Sequence, residues 1–255
     1  MIKVSACLIT LDEENNLPRA LHSLVGIADE IVVADCGSTD RTCAIAGEFG
    51  ARILERAWSS YSDQKNFAAE AASHDWILSL DADEELSPEL RKALLEWKQS
   101  MPQFEVYEFS RRAHYLGAWI RHSGWYPDRQ RRLYRRDAAR FFGIIHESLR
   151  FTRKPGRLPG DILHYTISSF AEHRDKVENY STLAARQMLE SGRKRWRTGA
   201  WLAAPWAGIR CYLLRCGFLD GYRGILIARM AARTVRLKYR KLGRLLAGQF
   251  GPGSD

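Results

Sequence analysis

No Cys-x-x-Cys pair occurs among the five cysteines of the 255-residue chain, Cys7, Cys36, Cys43, Cys211 and Cys216. Thiolate metal spacing is therefore excluded, and the odd count fits a reduced, cytoplasmic setting. Nor is there an uninterrupted apolar run of roughly 18 residues, so a spanning helix is not expected. The longest candidate, GAWLAAPWAGIRCYLLRCGFL, is broken by Pro205, Arg210 and Arg215. Met1-Ile2-Lys3 runs straight into a strand-like segment, so no secretory leader is expected either. Internal repeats and low-complexity linkers are also lacking. With 45% hydrophobic and 27% charged residues, the composition is that of a folded, water-facing chain with a sizeable core.

Acids are scarce in one region only. From Arg193 to Arg244 there are 14 Lys/Arg against the single acid Asp220, a local balance of +13 within a total of +9. The rest of the chain carries −4 by difference, so the basic character belongs to the tail and not to the body.

Through the first hundred residues, strand-like and helix-like segments alternate. KVSACLIT, EIVVAD, ARILE and WILSL read as strands. Between them lie NNLPRALHSLV, with Leu17, Leu21 and Leu24 on one face, then a turn and helix ending at Gly50, then SDQKNFAAEAAS. SPELRKALLEWKQ starts a further helix with Ser87 as N-cap and Pro88 in the first turn. This alternation predicts a parallel α/β sheet. After Pro102 the sequence becomes aromatic and strand-like, and from Ser168 onward it reads as helical.

In an open parallel sheet, ligands sit beyond the carboxyl ends of the strands. Polar clusters follow the first, second and fourth strands here. In the third of these, Asp81-Ala82-Asp83 is trailed by Glu84 and Glu85, and like charges so close repel unless something offsets them. A D-x-D on a loop suits a hard divalent cation shared with substrate phosphates, and such a cation would supply the offset. The alternative is that the acids solvate a loop and favour the helix start at Pro88. In DCGSTDRT, Gly37 permits a tight turn and Ser38 or Asp40 can cap the next helix. Asp35 suits a base or ribose hydroxyl better than a phosphate, which it would repel.

CLITLDEENNL, EIVVADCGSTDRT, SDQKNFAAEAASHDWILSLDADEEL and GWYPDRQRRLYRR, in this order, resemble the inverting family-two glycosyltransferases, which use nucleotide sugars. The resemblance implies an α/β, GT-A (Rossmann-like) nucleotide-sugar-binding sheet over residues 1–165 with a helical, basic, amphipathic C-terminal extension over 166–255. Within the family, the chain is similar to bacterial lipopolysaccharide-core glucosyltransferases that add a β-linked glucose to the inner-core heptose. The segments GWYPD, HE, HYT and FLDGYRG carry that narrower likeness.

By this resemblance Thr10, Asp12 and Glu13 would hold the uridine of a UDP-sugar, and Asp35 would read uracil or ribose, with Ser38 and Asp40 nearby. Lys65 stands where the family often has a basic residue beside the nucleotide. Asp81, Ala82 and Asp83 match the D-x-D: Asp83 on a divalent Mg or Mn at the diphosphate, Asp81 on the ribose or a metal-bound water. His164 would complete the metal site, with His146 behind it. Inverting transfer needs a base for the acceptor hydroxyl. The family usually takes it from an ED pair, which this sequence lacks after residue 100; Glu147 of the HE dipeptide is the first candidate and Asp128 the second. Arg129, Arg131 and Arg132 would bind phosphates of an anionic acceptor or of the diphosphate, or form a solvated cationic face. Strand alternation sets Arg132 on the face opposite the other two.

The basic tail mixes Arg with Trp, Leu and Ile, and Ile225, Ile227 and Met230 alternate with arginines. Such a segment can lie in an anionic membrane interface, which would bring the enzyme to a lipid-linked glycan acceptor on the inner face of the inner membrane. A helical cap or a basic oligomer interface are the other readings. Polyprenyl phosphate or another envelope glycan is the alternative acceptor. A nucleic-acid binder on an inactive body is the reading from another class; the acidic clusters would repel a phosphate backbone, so no nucleic-acid partner is expected.

Overall fold

The computed structural model of the protein describes residues 1–143, 147–192 and 199–248. It comprises two compact units, Met1–Arg112 with Asp128–Tyr165, and Ala113–Pro127 with Thr166–Asp255. Residues 113–127, which the sequence assigns to the first domain, thus go with the helices.

In the first unit, β1 (Val4–Thr10), β2 (Glu30–Asp35), β3 (Arg52–Glu55) and β4 (Trp76–Ser79) run parallel in the order β3-β2-β1-β4. They are joined by α1 (Leu17–Leu24), α2 (Thr42–Glu48) and α3 (Tyr61–Ala71). After β5 (Glu84–Leu86) and α4 (Pro88–Lys98) come β6 (Val106–Tyr115), β7 (Ala118–Trp119, which belongs to the second unit), β8 (Asp128–Arg135), β9 (Arg140–Phe142), β10 (Ser148–Arg150) and β11 (Gly156–Ile167). The sheet continues past β4 as β8-β6-β11-β5. Strand β8 is antiparallel to both β4 and β6, and β5 is antiparallel to β11. The parallel sheet expected from the first hundred residues is present as β1–β4, and the later strands extend it as an antiparallel half.

Two strands escape the sequence pattern for a physical reason. In β5 the inward residue is Glu84, which has no exposed surface, so the period-2 rule reads its face as solvent. In β11, Pro159 and Gly160 interrupt the run where the chain passes close to α4. A Cβ on Gly160 would meet the Leu90 backbone nitrogen at 2.3 Å.

The apolar stripe of α1, Leu17, Leu21 and Leu24, is fully buried against Leu8, Leu78 and Leu80, each such leucine contributing roughly 1.5–3 kcal/mol. Ser87 caps α4 by accepting from the Leu90 N–H at 3.2 Å. Helix α3 is unusual in burying polar side chains: Ser62, Gln64, Lys65 and Asn66 all lie inside. Asn66 exchanges two hydrogen bonds with the Phe141 backbone, both 2.9 Å, and the Ser62 hydroxyl donates to the Gly143 carbonyl at 2.6 Å. These bonds fasten α3 to β9, just ahead of Glu147.

The second unit is built from α5 (Phe170–Glu190), α6 (Ala204–Ile209) and α7 (Gly221–Leu246), with π-helical turns on either side of α6. Lys241 of α7 reaches α5, donating to the Glu178 carbonyl at 2.8 Å and the Thr182 hydroxyl at 2.6 Å. Asp220, beside the start of α7, accepts from the backbone N–H groups of Arg121 and His122 and from the Ser123 hydroxyl at 2.7 Å. Arg223 donates twice to the Leu116 carbonyl. The FLDGYRG segment therefore anchors the 113–127 excursion.

Among the described residues no helix is long and apolar enough to cross a membrane. Ile227 and Met230, expected at a membrane face, are buried. Ile225, the third, is exposed, as are Trp201, Leu202, Trp206, Ile209, Leu213 and Leu214 earlier and Leu219 and Tyr222 around the start of α7.

Gly224 marks the tightest approach in this unit, because a Cβ there would sit 1.7 Å from the Gly217 carbonyl oxygen. Gly224→Ala is expected to cost about 1–3 kcal/mol through forced backbone shifts. Gly47→Ala, in a helix with open space around it, should be neutral or stabilising by about 0.5–1 kcal/mol. Urea denaturation of the two variants checks both signs.

Candidate active site

The ends of β1 and β2 lie side by side, with Thr10 paired to Asp35. Asp35 is buried and accepts from four donors: the Thr10 hydroxyl at 2.7 Å, the Ser38 hydroxyl at 2.6 Å, and the Gly37 and Ser38 N–H groups at 2.9 and 2.7 Å. Burial alone would raise its pKa, but the Ser38 and Thr10 bonds outweigh burial and lower it. Those four bonds fill its acceptor capacity. Asp35 thus organises the loop rather than offering a free oxygen to a base or ribose.

The two loops are cross-stitched. Thr39 N–H donates to Asp12 at 2.8 Å, Asp12 N–H to the Ser38 hydroxyl at 2.9 Å, and Glu14 N–H to Asp40 at 3.0 Å. Asp12 adopts φ 52°, a left-handed conformation that Asp tolerates better than most residues. Glu13 N–H donates to the Thr42 hydroxyl at 2.7 Å, leaving its carboxylate to Asn16. Burial first, then the carboxylates of Asp83, Asp40 and Asp81, push the Glu13 carboxyl up against the Asn16 bond. That shared field places the first loop and the D-x-D on one rim.

In the D-x-D the two aspartates have different surroundings. Asp81 receives Arg132 Nη2 at 2.5 Å on one oxygen and Lys65 Nζ at 2.8 Å on the other. Each oxygen of Asp81, expected at a metal or the ribose, is thus already engaged by a cation of the protein. Ala82 packs into the core. Asp83 instead faces His164, with Nε2 3.0 Å from Oδ2. The β5–β11 ladder and the Tyr165 N–H donating to the Asp83 carbonyl at 3.0 Å set this pair across 81 residues of sequence. Asp83 Oδ1 has no partner among the described residues.

Among the described residues no group of three or more His, Cys, Asp or Glu side chains is arranged to hold a metal ion. The carboxylate–imidazole pair still fits a hard cation that keeps waters and takes its other ligands from substrate phosphates.

The repulsion among the acids is offset by cations of the protein itself. The Arg132 side chain is 4% exposed and also donates to Glu84, which is 0% exposed, at 3.0 Å. Arg111 bridges Glu84 at 3.0 Å and Asp128 at 2.7 Å. Lys65, 3% exposed, links Asp81 to Glu147 at 2.6 Å. A continuous chain results: Glu147, Lys65, Asp81, Arg132, Glu84, Arg111, Asp128. Arg132 is therefore not an acceptor-binding residue, being buried and committed to two carboxylates, as its opposite strand face foretold. Arg129 and Arg131 are exposed on the other face, with Arg131 3.6 Å from Glu108.

Sequence reasoning assigned Lys65 to the nucleotide, whereas it joins two carboxylates. Reasoning from sequence missed Arg111 altogether, and no local signal marks it, since Arg111-Arg112 reads as ordinary strand alternation. His146 lies outside the described residues.

Residues 5–175 match the family described as Glycosyl transferase family 2. The chain belongs to that family. An uncharacterized glycosyltransferase of Rickettsia bellii is 30% identical over 99% of this chain and 90% of its own. The lipopolysaccharide core biosynthesis glycosyltransferase LpsC of Rhizobium meliloti is 30% identical over 92% of both. Among solved structures, glucosyl-3-phosphoglycerate synthase of Mycobacterium tuberculosis, in complex with Mn2+, UDP and glucosyl-3-phosphoglycerate, is similar at 22% identity. That match covers 46% of this chain and 45% of that one, with a TM-score of 0.36. The family membership makes this protein a nucleotide-sugar-dependent glycosyltransferase with a GT-A-class α/β sheet and C-terminal helices.

Removing one partner of the buried network strands a charge, so Arg132→Met is expected to cost about 3–5 kcal/mol in urea denaturation. Burial favours protonation of Asp81, but Arg132 and Lys65 outweigh it and hold its carboxyl well below the ordinary value of 3.8. The stability this contributes is full above that ordinary value and is lost as pH falls toward the folded one. Stability of Asp81→Asn should therefore fall less steeply than wild type below about pH 4. Parallel curves would show that Asp81 is not the group held down.

Proposed function

We propose that the protein transfers glucose from UDP-glucose, with inversion, to the inner-core heptose of lipopolysaccharide, as a peripheral enzyme on the cytoplasmic face of the inner membrane. The observation that carries the reading is the Glu147–Lys65–Asp81 link, which ties a candidate base to the donor-site D-x-D through bonds of 2.6 and 2.8 Å. The likeness to LpsC supports a lipopolysaccharide-core acceptor over polyprenyl phosphate. The exposed apolar residues between Trp201 and Leu214 and the surrounding basic tail support a membrane location.

The loops after β1 and β2 would cradle the uridine. Asp83 and His164 would hold Mg or Mn against the diphosphate, where the cation offsets charge on the leaving group. Glu147 has Oε1 held by Lys65, which leaves Oε2 to take the proton of the acceptor hydroxyl. As that hydroxyl oxygen bonds to the anomeric carbon, the bond to the diphosphate breaks and its electrons leave with UDP. Asp128 is less suited to the base role. Arg111 donates to one of its oxygens from two nitrogens, and Gln130 to the other at 2.9 Å. Exposed Arg129 and Arg131 are the side chains for an anionic acceptor.

Glu147→Gln should keep UDP affinity in calorimetry while transfer falls about 10²- to 10⁴-fold. Near-normal turnover would move the base to Asp128. Asp83→Ala should lose the metal-dependent part of UDP binding, and unchanged metal dependence would remove Asp83 from the donor site.

A further inference from the structure

The β5–β11 ladder, whose end carries Asp83 and His164, is gripped on two faces. His164 pairs with Glu84 and Leu163 with Glu85. Strand alternation therefore sets Glu85 and Tyr165 on one face and Glu84 and His164 on the other. On the Glu84 face the grip is Arg132 and Arg111. On the opposite face it is Arg19 of α1. Its guanidinium carbon lies 3.5 Å from the centroid of the Tyr165 ring, a stacked cation–π contact. Its Nε is 3.8 Å from Glu85 Oε2, and the Tyr165 hydroxyl donates to Glu85 Oε1 at 3.1 Å. Arg19, Tyr165 and Glu85 thus close a triangle beside the Asp83–His164 pair. The Tyr165 N–H holds the Asp83 carbonyl at 3.0 Å, so a shift of Tyr165 would move both members of that pair.

The same guanidinium reaches the loop after β1. Its Nη2 donates to Asn16 Oδ1 at 2.9 Å, and Asn16 Nδ2 donates to Glu13 Oε2 at 2.8 Å. One side chain therefore joins the loop proposed for uridine to the residues proposed for the cation. Stability alone is a poor account of this arginine. Its Nε is buried without a hydrogen-bond partner among the described residues, because 3.8 Å to Glu85 is too long for one. A buried N–H left without an acceptor is a cost that an apolar side chain on the same helix would not incur.

We propose, on the donor-site reading given above, that Arg19 is a positioning residue for the donor complex. By stacking on Tyr165 it fixes the Asp83–His164 pair, and through Asn16 it sets that pair against the loop after β1. A divalent cation and a nucleoside diphosphate then meet one preformed rim. Groups that orient the ligands of a metal without binding it themselves typically carry 10- to 100-fold in metal affinity.

The test uses the full chain at saturating UDP, with Mn2+ affinity read from the electron paramagnetic resonance signal of the free ion. Wild type is compared with Arg19→Met, Tyr165→Leu, the double variant and His164→Ala, and urea midpoints are recorded for each. Methionine keeps a long apolar side chain over Tyr165, and Tyr165→Leu removes the same stack from its other side. The expected result is Mn2+ binding about 10- to 100-fold weaker in each single variant, with no further loss in the double variant, because both remove one contact. Wild-type Mn2+ affinity in Arg19→Met with a lowered urea midpoint, as a purely structural arginine would give, would overturn the proposal. So would losses that add in the double variant. Absence of UDP-dependent Mn2+ binding in wild type, or its survival in His164→Ala, would instead sink the donor-site reading, and the role of Arg19 with it.

Discussion

A guanidinium sealed beneath a loop of acids is the constraint on which the first unit depends. Arg132 lies on the buried face of β8 and binds Asp81 and Glu84 together. Without it, the two carboxylates would keep one cation each, Glu84 its Arg111 and Asp81 its Lys65, and the site would be left short of one positive charge. With it, the end of β4, strand β5 and strand β8 are tied at one point, and the antiparallel half of the sheet is registered against the parallel half. The acidic loop is therefore balanced by the protein's own cations. That frees Asp83, the one aspartate of the D-x-D outside this network, to face His164.

Much of this was legible in the sequence, but unevenly. The parallel half of the sheet, its helices and the Ser87 cap follow directly from periodicity and capping residues, and the family likeness paired Asp83 with His164, which lie 3.0 Å apart. What resisted reading were features whose cause lies across the fold. Strand β5 buries a glutamate, and no local rule treats Glu-Glu-Leu as a buried strand. Its partner Arg111 sits 27 residues on in a strand of unremarkable pattern. Lys65 looks like a surface lysine in DQKN until α3 is seen to bury its polar face against β9. In each case the deciding partner is distant, and charge compensation leaves no periodic trace.

The second unit shows a complementary case, in which motif residues have a packing role. FLDGYRG contributed to the narrower family likeness, and its parts act mechanically: Asp220 collects the N–H groups of the 121–123 turn, Arg223 holds the Leu116 carbonyl, and Gly224 lets α7 pass the Gly217 backbone. Burial of Ile227 and Met230 beneath the same helix leaves α7 largely committed to internal packing. Exposed apolar side chains remain at Tyr222 and Ile225 of α7 and are denser in the preceding segment, where Pro205, Arg210 and Arg215 interrupt the apolar run.

The ion-pair chain also bears on why a glycosyltransferase would hold two carboxylates, Glu147 and Asp128, at opposite ends of one network. Buried ion pairs are seldom the most stable solution, since well-packed apolar residues often serve better. Their distinctive property is direction, because a guanidinium fork or an ammonium fixes the oxygen it binds and leaves the other oxygen defined by default. At Asp128 both oxygens are committed, to Arg111 and Gln130, and the carboxylate is held as a structural anion. At Glu147 one lysine among the described residues takes one oxygen, and that lysine is itself fixed by Asp81 and by the buried polar face of α3. Two carboxylates of the same network thus differ in the number of donors each receives among the described residues, three at Asp128 and one at Glu147.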